Sequence, residues 1–245
     1  MPKICIVIPC YNESLRLNTS AFTKFLDSHH LEYDLLFVND GSTDNTIEIL
    51  SKIISVYPNN CVLHTIKQNG GKAEAVRLGI NLAHTKNEYN YIAYFDADLA
   101  TPLLEIKLLY KIVIDNPEIV MVLCSRIKRL GANIRRKTKR HLLGRIFSTL
   151  ASTVLKLPVY DTQCGAKLIK AEIIPYIFDK PFVTSWIFDV EILARIRNHY
   201  KNDTSSVLFE HPVTEWEDVE GSKLRFRHMI RVPLELIKIN QLYNK

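Results

Sequence analysis

The chain has 245 residues, 47% of them hydrophobic, and a net charge of +6; that is enough apolar material for one large, well-buried core. No apolar run approaches the ~20 residues of a membrane-spanning helix, and the five cysteines (5, 10, 61, 124 and 164) form neither a C-x-x-C pair nor a His/Cys zinc spacing. A membrane-inserted chain and a zinc module are therefore excluded, and buried reduced thiols in a cytoplasmic protein are expected.

Met1-Pro2-Lys3 leads at once into an apolar run at 4–8, which leaves no room for a signal peptide and reads as a strand buried on both faces. It ends in the polar turn Pro9-Cys10-Tyr11-Asn12-Glu13. A second such strand at 34–38 ends in Asn39-Asp40-Gly41-Ser42-Thr43-Asp44, and a helical pattern at 44–57 follows, with Ile47, Ile49, Leu50, Ile53, Ile54 and Val56 on one wide face. A strand at 62–66, a helix at 72–83 and a strand at 91–95 come next. Pro102 opens a helix carrying Ile106, Leu109, Tyr110 and Val113, because proline's missing donor is harmless in a first turn. A fifth strand is predicted at 119–124, then short strands mixed with helices around 138–155, 187–199 and 223–240. Strand, polar turn and helix repeated in this order specify an α/β fold with a doubly wound, mostly parallel sheet. With no linker, repeat or low-complexity tract, residues 1–245 read as a single domain.

The segment Tyr94-Phe95-Asp96-Ala97-Asp98 carries the strongest chemical signal. Two acids one residue apart project the same way from the carboxyl end of a buried strand, where open α/β sheets collect their ligands. Such hard oxygen donors suit Mg²⁺ or Mn²⁺, with diphosphate oxygens completing the shell. Taken alone, the D-x-D pattern also fits a helix cap by Asp98 before Thr101-Pro102.

Four pieces in order, Val7-Ile8-Pro9-Cys10-Tyr11-Asn12-Glu13, Val38-Asn39-Asp40-Gly41-Ser42-Thr43-Asp44, Asn69-Gly70-Gly71-Lys72 and Asp96-Ala97-Asp98, resemble the family 2 glycosyltransferases of the GT-A fold. Later pieces are similar to the dolichyl-phosphate glucosyltransferase branch: Ser125-Arg126, Asp161-Thr162-Gln163-Cys164-Gly165-Ala166-Lys167, Trp186-Ile187-Phe188-Asp189-Val190-Glu191 and Gly221-Ser222-Lys223-Leu224. The resemblance implies a nucleotide-sugar-binding half over 1–125 and an acceptor-side half over 126–245. It implies that Pro9, Tyr11, Glu13, Asp40, Lys72, Asp96, Ala97 and Asp98 hold the nucleotide sugar, with Asp40 accepting from the base and Asp98 on the metal. Asp40-Gly41-Ser42 alone also fits a tight turn, and Lys72 a solvated first-turn lysine. Where mannosyl relatives often place a glutamine two residues after the second acid, this chain has Ala100.

Arg126 and Lys223 match basic residues that approach phosphates, a task suited to a planar guanidinium in the first case. Asp161 and Gln163 fall in a segment resembling the acceptor loop, and Asp189 joins them on the acceptor side, although acids at a helix start explain Asp189 nearly as well. A sugar hydroxyl would need Asp161 as a base, whereas a phosphate monoester, already anionic, needs placement. The implied reaction is inverting, metal-dependent transfer of a hexose, glucose from UDP-glucose first, to a polyisoprenyl phosphate; the alternative is a saccharide acceptor.

Between Ile119 and Tyr160 there are ten Lys or Arg and no Asp or Glu, so the remainder carries 22 basic against 26 acidic residues. The window includes a basic cluster (Arg135, Arg136, Lys137, Lys139 and Arg140) and then a helix with Leu143, Ile146, Phe147 and Leu150 along one side. That composition fits an interfacial helix, and peripheral contact with the cytoplasmic face of a membrane through residues 126–150 is expected. A core helix beside a solvated loop is the simpler alternative. Nucleic acid is not expected as a partner, because acids at the strand ends would repel its backbone.

Overall fold

The computed structural model describes residues 3–135, 138–219 and 226–243. Nine strands are described: β1 Ile4–Cys10, β2 Tyr33–Asp40, β3 Cys61–Ile66, β4 Tyr91–Phe95, β5 Met121–Ser125, β6 Asn133–Arg135, β7 Ala166–Lys170, β8 Leu208–Pro212 and β9 Glu215–Glu217. The helices are α1 Thr19–His29, α2 Thr46–Val56, α3 Lys72–Thr85, α4 Glu105–Asp115, α5 Thr138–Leu155, α6 Ile174–Phe178, α7 Phe188–Tyr200, α8 Thr204–Val207 and α9 Phe226–Tyr243.

Seven strands form one sheet in the order β3-β2-β1-β4-β7-β5-β8, and β6 pairs with β9 in a small second sheet. The first four strands are parallel, whereas β7 runs antiparallel to both β4 and β5. The mostly parallel α/β fold expected from the sequence is thus present, with one reversed strand, β7, inside the sheet.

Alternation along β1 sets the two faces. Ile4, Ile6, Ile8 and Cys10 pack with Phe22, Phe25 and Leu26 of α1, Leu50 and Ile53 of α2, and Ile106 and Leu109 of α4. Cys5 and Val7 face the other layer, built from Val76 and Ile80 of α3 with α6 and α7. Each fully buried large apolar side chain contributes about 1.5–3 kcal/mol. That is why strands buried on both faces read as continuous apolar runs. Gly79 lets α3 lie close to the sheet, since a methyl there would stand 2.5 Å from Val7 Cγ1 and 2.8 Å from Val38 Cγ2.

The predicted elements shift by only a few residues. The helix expected from 44 starts at Thr46 because Asp44 stays outside it, its Oδ1 accepting from Thr46 N at 3.0 Å and from Thr46 Oγ1. The strand expected at 119–124 is Met121–Ser125. All five cysteines are free and buried. The position of β7 inside the sheet was not read from sequence: Lys167 and Lys170 in Ala-Lys-Leu-Ile-Lys hide a strand that is almost wholly buried.

Candidate active site

The loops after β1 and β2 clasp each other through backbone amides. Asn12 N donates to Ser42 Oγ at 2.9 Å, and Glu13 N to Thr46 Oγ1 at 2.8 Å. Ser14 N donates to Asp44 Oδ2 at 3.1 Å, and Thr43 N to Asn12 Oδ1 at 2.8 Å. Asn12 can carry a positive φ of 48°, as a short amide side chain tolerates. Burial would raise the Asp44 carboxyl, but the hydrogen bonds from Ser14 and Thr46 outweigh it and hold its pKa at about 2.

Asp40, at the end of β2, is buried, and its carboxylate holds the next loop. Oδ1 accepts from Gly70 N at 2.7 Å; Oδ2 accepts from Gly71 N at 2.8 Å and Asn69 Nδ2 at 3.0 Å. Burial raises its pKa, and the two glycine amides pull it part of the way back. Much of the acceptor capacity expected to meet a nucleotide base thus shapes the Asn69-Gly70-Gly71 turn that delivers Lys72. Gly41, with φ +65°, passes so near Asn69 that a methyl would stand 2.8 Å from its backbone nitrogen.

Lys72 opens α3 and reaches back to the D-x-D segment, its Nζ 2.5 Å from Asp96 Oδ1. At that separation the lysine ammonium is the direct partner of this buried oxygen. Burial lowers the Lys72 pKa, but Asp96 and Asp189 more than offset this and raise it. Asp98 turns the other way: Oδ2 lies 3.3 Å from Arg16 Nη1, and Oδ1 accepts from Ala100 N at 3.2 Å. Burial, followed by the neighbouring charge of Asp96, raises the Asp98 pKa against the pull of Ala100, Arg16 and Lys72. Arg16 also grips Glu13 with a two-pronged contact of 2.6 and 2.8 Å. Pro9 is buried at the base of this loop, Tyr11 is half-buried, and Ala97 is buried between the two acids.

The groups expected on the acceptor side converge through β5, β7 and α7. The Arg126 guanidinium forms a bidentate pair with Asp161, Nε–Oδ2 2.6 Å and Nη2–Oδ1 2.8 Å, and stacks 5.3 Å from the Trp216 ring centre. Burial would lower the Arg126 pKa, but Asp161 raises it well above its usual value. Glu210 of β8 fixes this loop by accepting from Tyr160 N and Asp161 N, both at 2.7 Å. Gln163 is half-buried on the same loop, its Nε2 3.4 Å from Thr162 Oγ1. Asp189 is 3% exposed, 2.7 Å from Lys167 Nζ and hydrogen-bonded by Tyr94.

Pro9, Tyr11, Glu13, Asp40, Lys72, Asp96, Ala97 and Asp98 therefore lie at the carboxyl ends of β1, β2 and β4 and the start of α3. Arg126, Asp161 and Gln163 lie at the end of β5 and in the loop before β7, while Lys223 lies outside the described residues. Arg16, Lys167, Tyr94 and Glu210 received no role from the sequence. A lysine inside an apolar strand was the available signal for Lys167; Arg16 showed only as a basic residue one turn beyond Glu13.

The profile of Glycosyl transferase family 2 matches residues 5–178. The chain belongs to that family. Among its curated relatives is a dolichyl-phosphate beta-glucosyltransferase of Trichomonas vaginalis, 33% identical over 95% of this chain and 69% of the relative. The enzymes of that name from Dictyostelium discoideum and Homo sapiens are 28% and 29% identical, over 98% and 91% of this chain and 74% and 69% of theirs. Among solved structures, this family 2 chain is similar to glucosyl-3-phosphoglycerate synthase of Mycobacterium tuberculosis in complex with Mn²⁺, UDP-glucose and phosphoglyceric acid. The TM-score is 0.70 at 15% identity, over 98% of this chain and 80% of that one. Mannosyl-3-phosphoglycerate synthase of Rubrobacter xylanophilus gives 0.71 at 14% identity, over 97% and 72%. At such identities the likeness is one of fold.

Proposed function

We propose that this family 2 glycosyltransferase moves glucose from UDP-glucose, with inversion, to a polyisoprenyl phosphate. The observation carrying the phosphate acceptor is the Arg126–Asp161 pair: a guanidinium fixed by a bidentate carboxylate and an aromatic ring presents a rigid, pre-oriented cation at the end of β5. Both Asp161 oxygens face Arg126, so Asp161 acts by orienting the guanidinium. A phosphate oxygen needs no base of its own.

In the displacement, an acceptor phosphate oxygen bonds to the anomeric carbon as the bond from that carbon to the nucleotide's diphosphate breaks, and the electron pair leaves on the diphosphate. The beta linkage in the names of the relatives, made from an α-linked donor, requires one inversion. Lys72 neutralises charge on the leaving side. The residues at the D-x-D segment fit Mg²⁺ or Mn²⁺ by the chemistry of their donors: Asp98, half-buried with Asp96 nearby, offers hard carboxylate oxygens. Such an ion would screen the diphosphate as it departs. UDP rather than GDP, and glucose as the hexose, rest on the relatives and on Ala100.

Product analysis with labelled UDP- and GDP-sugars, Mn²⁺ or Mg²⁺ and a short polyprenyl phosphate tests the reading. Glucosyl lipid made from UDP-glucose, with chelator-sensitive UDP binding lost in Asp98→Asn, is the expected result. Transfer only to a soluble saccharide would replace the lipid acceptor, and tighter GDP than UDP binding would move the donor to a guanosine sugar.

Contact with an anionic membrane surface belongs to the same proposal. Leu143, Ile146 and Leu150 project from one side of α5 with about half of their surface exposed, while Ala151 and Leu155 turn into the core. Arg129 and Arg135 are exposed just upstream; Arg136 and Lys137 lie outside the described residues. No helix among the described residues is long and apolar enough to cross a membrane. Sedimentation with vesicles of increasing anionic content should detect salt-sensitive binding that is lost when Leu143, Ile146 and Leu150 become serine. Equal sedimentation of the two proteins would remove the surface from the proposal.

A further inference from the structure

We propose that Gly165 is a positioning residue for the first acid of the D-x-D pair, its missing side chain providing the space in which the Asp96 carboxylate sits. The inference rests on reading Asp96 as a donor-side residue.

Two contacts bind the positions together. Asp96 N donates to Gly165 O at 2.8 Å, which extends the antiparallel β4–β7 pairing one step beyond the Phe95↔Ala166 register. The Asp96 side chain then folds over the glycine. A Cβ added at Gly165 would meet Asp96 Oδ2 at 2.0 Å, Cγ at 2.2 Å and Oδ1 at 2.9 Å. Separations of this kind lie far inside van der Waals contact, and three of them to one carboxylate leave no small adjustment that clears them all.

Backbone conformation does not call for glycine here. The positive-φ glycines are Gly41, Gly71 and Gly131 among the described residues, so Gly165 adopts a conformation open to alanine. What the position requires is empty space beside one functional side chain. Glycine inside a sheet often marks such a close approach. With a methyl at 165, the carboxylate has to leave its rotamer and its place beside Lys72.

The wider segment has the same logic. Between residues 161 and 167, Asp161 holds Arg126, Gly165 seats Asp96 and Lys167 holds Asp189. One short stretch leading into β7 therefore sets the position of groups on both the donor and the acceptor side.

The test is a double-mutant cycle of Gly165→Ala with Asp96→Ala, read by thermal unfolding and by calorimetric binding of UDP in the presence of Mn²⁺. Truncating Asp96 to alanine removes all three atoms that the new methyl would strike. Gly165→Ala should lower the unfolding temperature and weaken UDP binding at least tenfold in the native background, yet change both by less than a factor of two, or one degree, in the Asp96→Ala background. Equal losses in the two backgrounds, or no loss in the native one, would overturn the assignment. The underlying reading fails separately: if Asp96→Ala leaves UDP binding intact, Asp96 is not a donor-side residue. The unfolding cycle still reports whether Gly165 seats its side chain.

Discussion

Asp40 and Asp44, in the group expected on the donor side, and Asp161 and Asp189, in the group expected on the acceptor side, are held in place by different physics, whereas Asp96 and Asp98 pair with Lys72 and Arg16 and so resemble the second set. On the donor side, Asp40 and Asp44 are satisfied by backbone amides and a hydroxyl from adjacent loops, so their environment is built from short stretches next to strand ends. Asp161 and Asp189 are instead neutralised by the charged side chains of Arg126 and Lys167. Amide clasps fix loops at modest cost. Buried ion pairs fix geometry but leave a stranded charge when one partner is lost.

That contrast ranks the expected effects. Lys167→Met leaves Asp189 buried without its cation and should cost about 3–5 kcal/mol of stability, read by denaturant unfolding. Adding Asp189→Asn should recover part of the loss; a single variant as stable as the native protein would mean that the ion pair does not hold the acceptor side. Arg126→Lys keeps a positive charge but loses the planar fork, and transfer to polyprenyl phosphate should fall about 100-fold while UDP binding stays unchanged. Loss of UDP binding in that variant would erase the division between halves.

Asp44→Ala should be the mildest, at about 1 kcal/mol for a lost hydrogen-bond acceptor. Its pH signature sharpens the comparison. With the folded pKa depressed to about 2, Asp44 contributes stability that is fully present above the ordinary carboxylate pKa of about 4 and is lost as pH falls toward 2. The difference in unfolding free energy between native protein and Asp44→Ala should therefore shrink over that interval. A difference independent of pH would show that the amide clasp is not what holds the carboxylate.

Legibility in the sequence divides positions from pairings. The turns at Asn12-Glu13 and Asp40-Gly41-Ser42, the D-x-D acids and the start of α3 lie at strand ends whose apolar runs are continuous, which marks their positions, but most of their partners come from other loops. Arg126 and Asp161 are recognisable from their surrounding motifs, but nothing local says that they pair. Lys167 received no role from the sequence, and it is fully buried because Asp189 and the Cys164 carbonyl meet its ammonium and Tyr94 lies beneath it. The apolar stripe of α5, expected at a surface with a core helix as the alternative, divides in the structure: Leu143, Ile146 and Leu150 are exposed, whereas Phe147 packs against the core.

Periodicity and turn chemistry are local quantities, and by themselves they determined the α/β class, the succession of the first five strands along the chain and the placing of acids at the ends of β1, β2 and β4. Only tertiary structure decided that β7 enters antiparallel between β4 and β5, since strand neighbours are chosen by long-range packing and ladder hydrogen bonds rather than by proximity in the chain. That one insertion brings Gly165 against Asp96 and Lys167 against Asp189. Each pairing depends on a distance between residues remote in sequence, for which no residue type or spacing within either segment carries a signal.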